Sequence, residues 1–341
     1  MRSFHRLTVL AGTLALVLGP AMAAAADLVC GLSGPEDLVR VPGHPWVIAS
    51  AYGTVGRGFS VIDIRSRAVQ RLAVSRGPVD PALDGCAPTA ELGRLKTQGM
   101  TLTPTGRNSW RLYAINHGDR ESLEVFDLTV AAGAPQATWR GCLIMPDRVS
   151  ANAVAVLPGG GLVISKDRAP GLQADIVRIY AGETTGAVYV WTPQAELREL
   201  THARFSGNNG LVLGKDGRSV FVSGTGTSSV HRVDIDGAAP AATAKVAFRP
   251  DNLKWSSSGA LLATGAFIEG LSSFSSRIDS GVALIDGRTM KVLASARVPA
   301  DARFDTGTTA LEVGRDLWIG SFRSDCLAIV PRKVLTVSAA D

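Results

Sequence analysis

Six short apolar runs, each entered from a turn and ending in small residues, recur along the chain and constrain its fold more than any other feature. They are Trp46-Val-Ile-Ala-Ser50, Arg111-Leu-Tyr-Ala-Ile115, Gly161-Leu-Val-Ile-Ser165, Ser219-Val-Phe-Val-Ser223, Ala260-Leu-Leu-Ala-Thr264 and Leu317-Trp-Ile-Gly-Ser321. Their starts lie 41 to 65 residues apart, which suits one four-stranded blade of roughly 40–50 residues plus loop insertions. Turn sequences such as Pro158-Gly-Gly-Gly161, Lys215-Asp-Gly-Arg218 and Ser257-Ser-Gly259 precede several copies, and further strand patterns follow at Ser228–Val233 and Gly281–Asp286. Few windows carry apolar residues at helical spacing. The chain therefore reads as all-β, a six-bladed β-propeller; a sandwich or a two-domain β-protein is the alternative, and it accommodates six such copies less well. No low-complexity linker divides the chain, so residues 27–341 are expected to form one domain.

Residues 1–26 read as a signal peptide. Arg2 and Arg6 precede an apolar run from Leu7 to Leu18, and the stretch Ala21–Ala26 offers small residues for cleavage. The run is too short to span a bilayer core of about 30 Å, and no later stretch is long and apolar, so no transmembrane segment is expected. These features predict an exported protein, periplasmic or secreted. Lys and Arg number 35 against 30 Asp and Glu, and losing Arg2 and Arg6 with the leader narrows that excess further. With no basic tract and no interleaved aromatics, nucleic acid is not an expected partner.

Four cysteines, Cys30, Cys86, Cys142 and Cys326, lie beyond the leader, an even number that in an exported chain favours disulfides. No CxxC pair or nearby histidine supports a zinc site. A Cys30–Cys326 bond would clamp the two ends of the chain together and close a ring. Cys86 and Cys142 are then left as a pair, although spacing alone does not fix connectivity.

In a propeller the innermost strands line an axial channel, so polar residues at their ends converge from distant positions. Several segments open an inner-strand pattern with oxygen-bearing side chains: Glu36-Asp37 in GPEDL, Asn152 in SANAVAV, Asn209 in GNNGLVL and Asp251-Asn252 in RPDNL. Singly, Asn and Asp are ordinary turn residues. Occurring at the same phase of successive blades, they suit a hard cation, because calcium (Ca2+) takes six to eight oxygens and makes little use of nitrogen or sulfur. Two acids, Glu36 and Asp251, with three amides, Asn152, Asn209 and Asn252, would balance a divalent charge and leave positions for water or substrate.

These segments, together with Cys30, QGMTL, NHGDRESLEVF, KDGRSVFVSG and TGTTALEVGRDLWIGSFRSDC, resemble in order and approximate spacing the paraoxonase (arylesterase/lactonase) family. That family comprises calcium-dependent six-bladed propellers related in architecture to the gluconolactonase and strictosidine synthase-like groups. The resemblance is scattered over most of the chain after the leader. It implies that Glu36, Asn152, Asn209, Asp251 and Asn252 are ligands of a catalytic calcium, and that Cys30–Cys326 is the disulfide that staples the propeller. It also implies a histidine pair, of which His117 in NHGD matches one member while Gln98 replaces the other; Gln98 cannot act as a general base. A second, structural calcium of the family would involve Asp37 near Met100, but Ala153 stands where its other acid is expected. Asp37 would then bond backbone amides near Met100 instead.

The expected function is hydrolysis of a small-molecule lactone or ester, with calcium polarising the carbonyl and His117, or else Asp251, as the base. Two alternatives stand beside it: a non-catalytic, calcium-stabilised propeller that binds a protein or envelope component, and a sugar-lactone hydrolase of gluconolactonase type. Lys166-Asp167 is expected near the channel mouth, and Phe267, Ile268 and Phe274 there would lean toward an acyl or aryl substrate. No GxSxG elbow, P-loop, HExxH or strand-to-helix GxGxxG motif supplies competing chemistry, and GTGTSS from Gly224 to Ser229 reads as a hairpin loop.

Overall fold

The computed structural model describes residues 26–53, 58–83, 86, 92–131, 133–171, 173–270 and 275–337. The expected leader, up to residue 25, and Phe274 lie outside them. Among the described residues the sheets number six, each with four or five strands. Their innermost strands, Leu38–Arg40, Thr97–Gly106, Ser150–Val156, Asn208–Leu213, Arg249–Trp255 and Gly307–Val313, adjoin one another in that order and return to the first. This is a closed six-bladed propeller.

The six recurring runs are the second strands of the six blades. Trp46–Ala51, Ser109–His117, Leu162–Arg168, Ser219–Gly224, Leu261–Ala266 and Asp316–Ser321 each pair with the inner strand of their own blade. Neighbouring blades cover both faces of these strands, which explains continuous apolar runs in place of alternation. Ile48, Phe59 and Val61 of the first blade meet Leu112 and Phe126 of the second, and Val163 and Val188 of the third meet Val220 and Val222 of the fourth.

The sixth blade is assembled from both ends of the described chain. Asp27–Cys30 pairs antiparallel with Cys326–Pro331, placing Cys30 directly opposite Cys326, and the two are disulfide-bonded. Ladder and covalent bond thus close the ring at one point. Cys86 is bonded to Cys142, which ties the segment ahead of the second blade's inner strand to the fourth strand of that blade, Gln136–Ile144, inside the edge strand Ala73–Arg76. Among the described residues the single α-helix, α1 (Gln173–Tyr180), leaves the second strand of the third blade and lies over the channel mouth. No helix among the described residues is long and apolar enough to cross a membrane.

Candidate functional site

A shared backbone irregularity makes the channel floor polar. In the second blade Thr97 pairs with Asn116 and Met100 with Ala114, so Gln98 and Gly99 together oppose Ile115. The same slip sets Asn152-Ala153 opposite Ser165, Asn209-Gly210 opposite Ser223 and Asp251-Asn252 opposite Thr264. In the first blade Glu36-Asp37 precedes the inner strand, and Asp37 exchanges hydrogen bonds with Ser50 through its own N–H to Ser50 Oγ (2.8 Å) and its carbonyl from Ser50 N–H (2.9 Å). A β-bulge frees two residues from the ladder and re-aims a side chain. Repeated in four blades, it turns Gln98, Asn152, Asn209 and Asp251 into one cavity, which Glu36 joins from just ahead of the first inner strand.

The second bulge residue must be small where the next blade comes close. A Cβ on Gly99 would lie 2.3 Å from the Asn152 carbonyl oxygen, and one on Gly210 would lie 2.4 Å from both Asn252 Cα and the Asp251 carbonyl oxygen. In the third blade the hydroxyl opposite completes the local bonding: Ser165 Oγ accepts from Ala153 N–H (3.1 Å) and donates to the Asn209 carbonyl (2.5 Å).

The cavity measures about 450 Å³. Its walls carry Tyr52, Asp167, Arg168, Arg249, Ile268 and Phe322, with Ile176, Ile179 and Tyr180 contributed by α1. On the floor Glu36 Oε2, Asn152 Oδ1, Asn209 Oδ1 and Asp251 Oδ1 are buried and receive no hydrogen bond from the protein. An orphaned buried polar atom costs about 1–3 kcal/mol, so four of them from four blades in one cavity call for a common partner. All four are oxygens, and two belong to carboxylates. That set fits a hard divalent cation of the calcium class and offers nothing to a thiophilic metal.

The electrostatics point the same way. In the ion-free protein burial pushes the Glu36 carboxyl well above the usual range, reinforced by Asp251 and Asp37 and opposed by the Asn252 hydrogen bond. Burial likewise raises Asp251, reinforced by Asp167 and Asp37 and opposed by Arg168 and by an Asn209 hydrogen bond. A bound cation would invert both effects.

The remaining expected residues take other places. Asn252 is buried but does not line the cavity; its Nδ2 donates to Glu36 Oε1 (2.8 Å) and so orients that carboxylate. His117 also stands back from the cavity. Its Nδ1 pairs with Glu121 Oε2 (2.8 Å) and its Nε2 with Gln98 Oε1 (2.5 Å), which places Gln98 between the imidazole and the cavity. Asp37 accepts from the N–H groups of Leu38 and Met100 (2.8 Å each) and from Thr309 Oγ1 (3.1 Å), and its Oδ1 lies 2.7 Å from Lys254 Nζ. Both oxygens at the position considered for a second cation are therefore already supplied with donors, one of them an ammonium. Asp167 lines the cavity, paired with Arg168, while Lys166 does not line it. Ile268 does line it, whereas Phe267 packs against Phe248 and the Arg297 guanidinium.

Several site residues carried no signal in the sequence. Arg168, Tyr52 and Tyr180 belong to no motif, Arg249 opens RPDNL without standing out in it, and Lys254 matters only because the fold brings it to Asp37, 217 residues away. One signal was present: five of the six runs end in a small hydroxyl residue, and three of these, Ser165, Ser223 and Thr264, stand opposite a bulge that bears a candidate ligand.

Bulged inner strands around an oxygen-lined floor define the class, a six-bladed propeller with an axial polar site. No protein-family model matches the chain, and no curated protein matches it by sequence. By structure it is similar to a luciferin-regenerating enzyme (TM-score 0.54, 13% identity, covering 93% of this chain and 98% of that one). It is also similar to a proposed oxidoreductase (glucose dehydrogenase) of Thermus thermophilus (TM-score 0.50, 15% identity, 90% and 100% covered). The periplasmic gluconolactonase PpgL of Pseudomonas aeruginosa aligns at TM-score 0.48 and 14% identity over 89% of this chain and 84% of that one. The first two likenesses support the propeller fold, and at such identities they carry no substrate with them.

Proposed function

We propose that the protein is a calcium-dependent hydrolase of lactones or esters, working in the axial cavity. The observation that carries this reading is the set of four buried, unpartnered oxygens, on Glu36, Asn152, Asn209 and Asp251. These residues would hold the ion, with Asn252 fixing Glu36. When bound, calcium would supply Lewis-acid polarisation of the scissile carbonyl and charge stabilisation of the developing oxyanion.

The chain's own groups would do the rest. Asp251, on the cavity floor, takes a proton from water as the water oxygen bonds to the carbonyl carbon. The ring or ester C–O bond then breaks, and the departing oxygen receives that proton. Asp251 is preferred to His117 because Gln98 lies between the imidazole and the cavity. The His117–Glu121 pair instead fixes the Gln98 amide at the cavity wall. Ile176, Ile179 and Tyr180 of α1 shield the reacting carbonyl from bulk water, which strengthens each polar interaction inside. The two disulfides agree with work in an oxidising compartment, as an exported protein would require.

The test combines metal analysis with turnover. Purified protein should carry calcium, lose melting temperature in EGTA, and hydrolyse members of an aliphatic, aryl and sugar lactone panel, with Asn209→Ala inactive. Calcium-dependent melting without any turnover would favour a calcium-stabilised binding module. Turnover confined to sugar lactones would select the gluconolactonase-type alternative.

A further inference from the structure

The charges around the cavity pair off with one exception. Asp167 is matched by Arg168, and Asp37 beneath the floor by Lys254. Glu36 and Asp251 together balance a divalent ion. Arg249 remains. It lines the cavity, and no described carboxylate pairs with it. Main-chain oxygens hold its guanidinium: Nε donates to the Ile268 carbonyl (3.3 Å), and one terminal nitrogen donates to the carbonyls of Gly226 and Thr225. The Tyr180 ring stacks over it, with 5.6 Å between the guanidinium carbon and the ring centroid.

Carbonyls orient a guanidinium without neutralising it, and an aromatic face restrains it without consuming a donor. Arg249 is thus a preorganised cation whose second terminal nitrogen stays available for a planar anion. It lies two residues before Asp251 on the inner strand, a separation of about 6–7 Å along a strand. We infer that Arg249 selects a substrate carrying a carboxylate a few bonds from the carbonyl that is cleaved, so that the carbonyl sits at the floor while the carboxylate meets the guanidinium. A single surplus positive charge matches a monoanion. Between the two ends, Ile176, Ile179 and Ile268 offer an apolar wall that suits a short ring or alkyl segment. The cleaved bond rests on the hydrolase reading, whereas the charge preference rests on Arg249 with the floor acids balanced by the ion.

The test compares γ-butyrolactone-γ-carboxylate with γ-valerolactone, in which a methyl group stands where the carboxylate was. Calcium-loaded protein should favour the carboxylate in kcat/KM by about 10- to 100-fold, the worth of a charge-assisted contact. That ratio should fall to near one in Arg249→Met and in Arg249→Gln, the latter keeping a donor toward the carbonyls if the methionine variant folds poorly. Calorimetric binding of γ-butyrolactone-γ-carboxylate runs beside the kinetics and needs no turnover. If no lactone is cleaved, the hydrolase reading fails, while binding at least tenfold weaker in Arg249→Gln still upholds the charge preference. No preference in the wild type, or equal binding by wild type and Arg249→Gln, overturns the inference.

Discussion

The Lys254 ammonium lies 2.7 Å from Asp37 Oδ1 and 2.9 Å from Asp37 Oδ2, so a lysine of the fifth blade ties down the first blade beneath the cavity floor. The pair is well buried, with side-chain exposures of 17% for the lysine and 2% for the aspartate. Removing one member of such a pair strands the other charge. Lys254→Met should cost about 3–4 kcal/mol by urea unfolding, the lower part of the usual range because three other donors still reach Asp37. With the ammonium in place, metal analysis of the wild type should find one divalent ion per chain, not two.

Gly210 offers a way to disturb the candidate site without touching a ligand. A methyl there would collide with the backbone of Asp251 and Asn252. Gly210→Ala should lower stability by about 1–3 kcal/mol and weaken calcium binding at least tenfold in titration calorimetry. Gly270→Ala, where an added Cβ meets nothing within 4 Å, is the matched control and should change neither quantity.

His231 sets an acid limit on stability. Its ring stacks on Phe205 with centroids 3.6 Å apart and bonds Ser229 and Thr243 at 2.9 Å each. Burial, with a smaller contribution from Lys245, lowers its pKa from 6.5 to about 4. Because the folded state resists the proton that the unfolded chain accepts, this contribution is fully present above pH 6.5. It is lost progressively as the pH falls toward 4. At pH 5 the loss should be about 2 kcal/mol. Urea unfolding at pH 7.5 and pH 5 should show this drop in the wild type and a smaller one in His231→Gln.

The disulfide at the ring seam makes a separate prediction. Replacing Cys30 and Cys326 by alanine should destabilise the protein by about 3–5 kcal/mol. The same pair of substitutions at Cys86 and Cys142 should cost less, since it frees one segment from a single blade and leaves the ring closed. Thermal melts under one set of conditions would check the order.

Much of this architecture was readable from residue patterns, because the second strand of each blade is buried on both faces and must be apolar along its whole length. The floor residues were readable for a related reason: they occupy one phase of a repeated unit, so Asn152, Asn209 and Asp251 stand out against divergent surroundings. Groups whose meaning depends on a distant partner were not. Arg249 opens the motif RPDNL, yet its character comes from carbonyls of residues 225, 226 and 268. His117 shows the converse: its motif pointed to the cavity, while Gln98, on the neighbouring inner strand, took the place its ring would need.

The seam in the sixth blade also sets an order of events. Glu36 follows closely on the strand that is stitched to Cys326, and Asp251 and Asn252 reach it from more than two hundred residues downstream. A nascent chain should therefore complete the floor only once the strand Cys326–Pro331 has been synthesised and docked. Ion capture would serve as a late checkpoint, and a chain truncated before Cys326 would be unable to pass it.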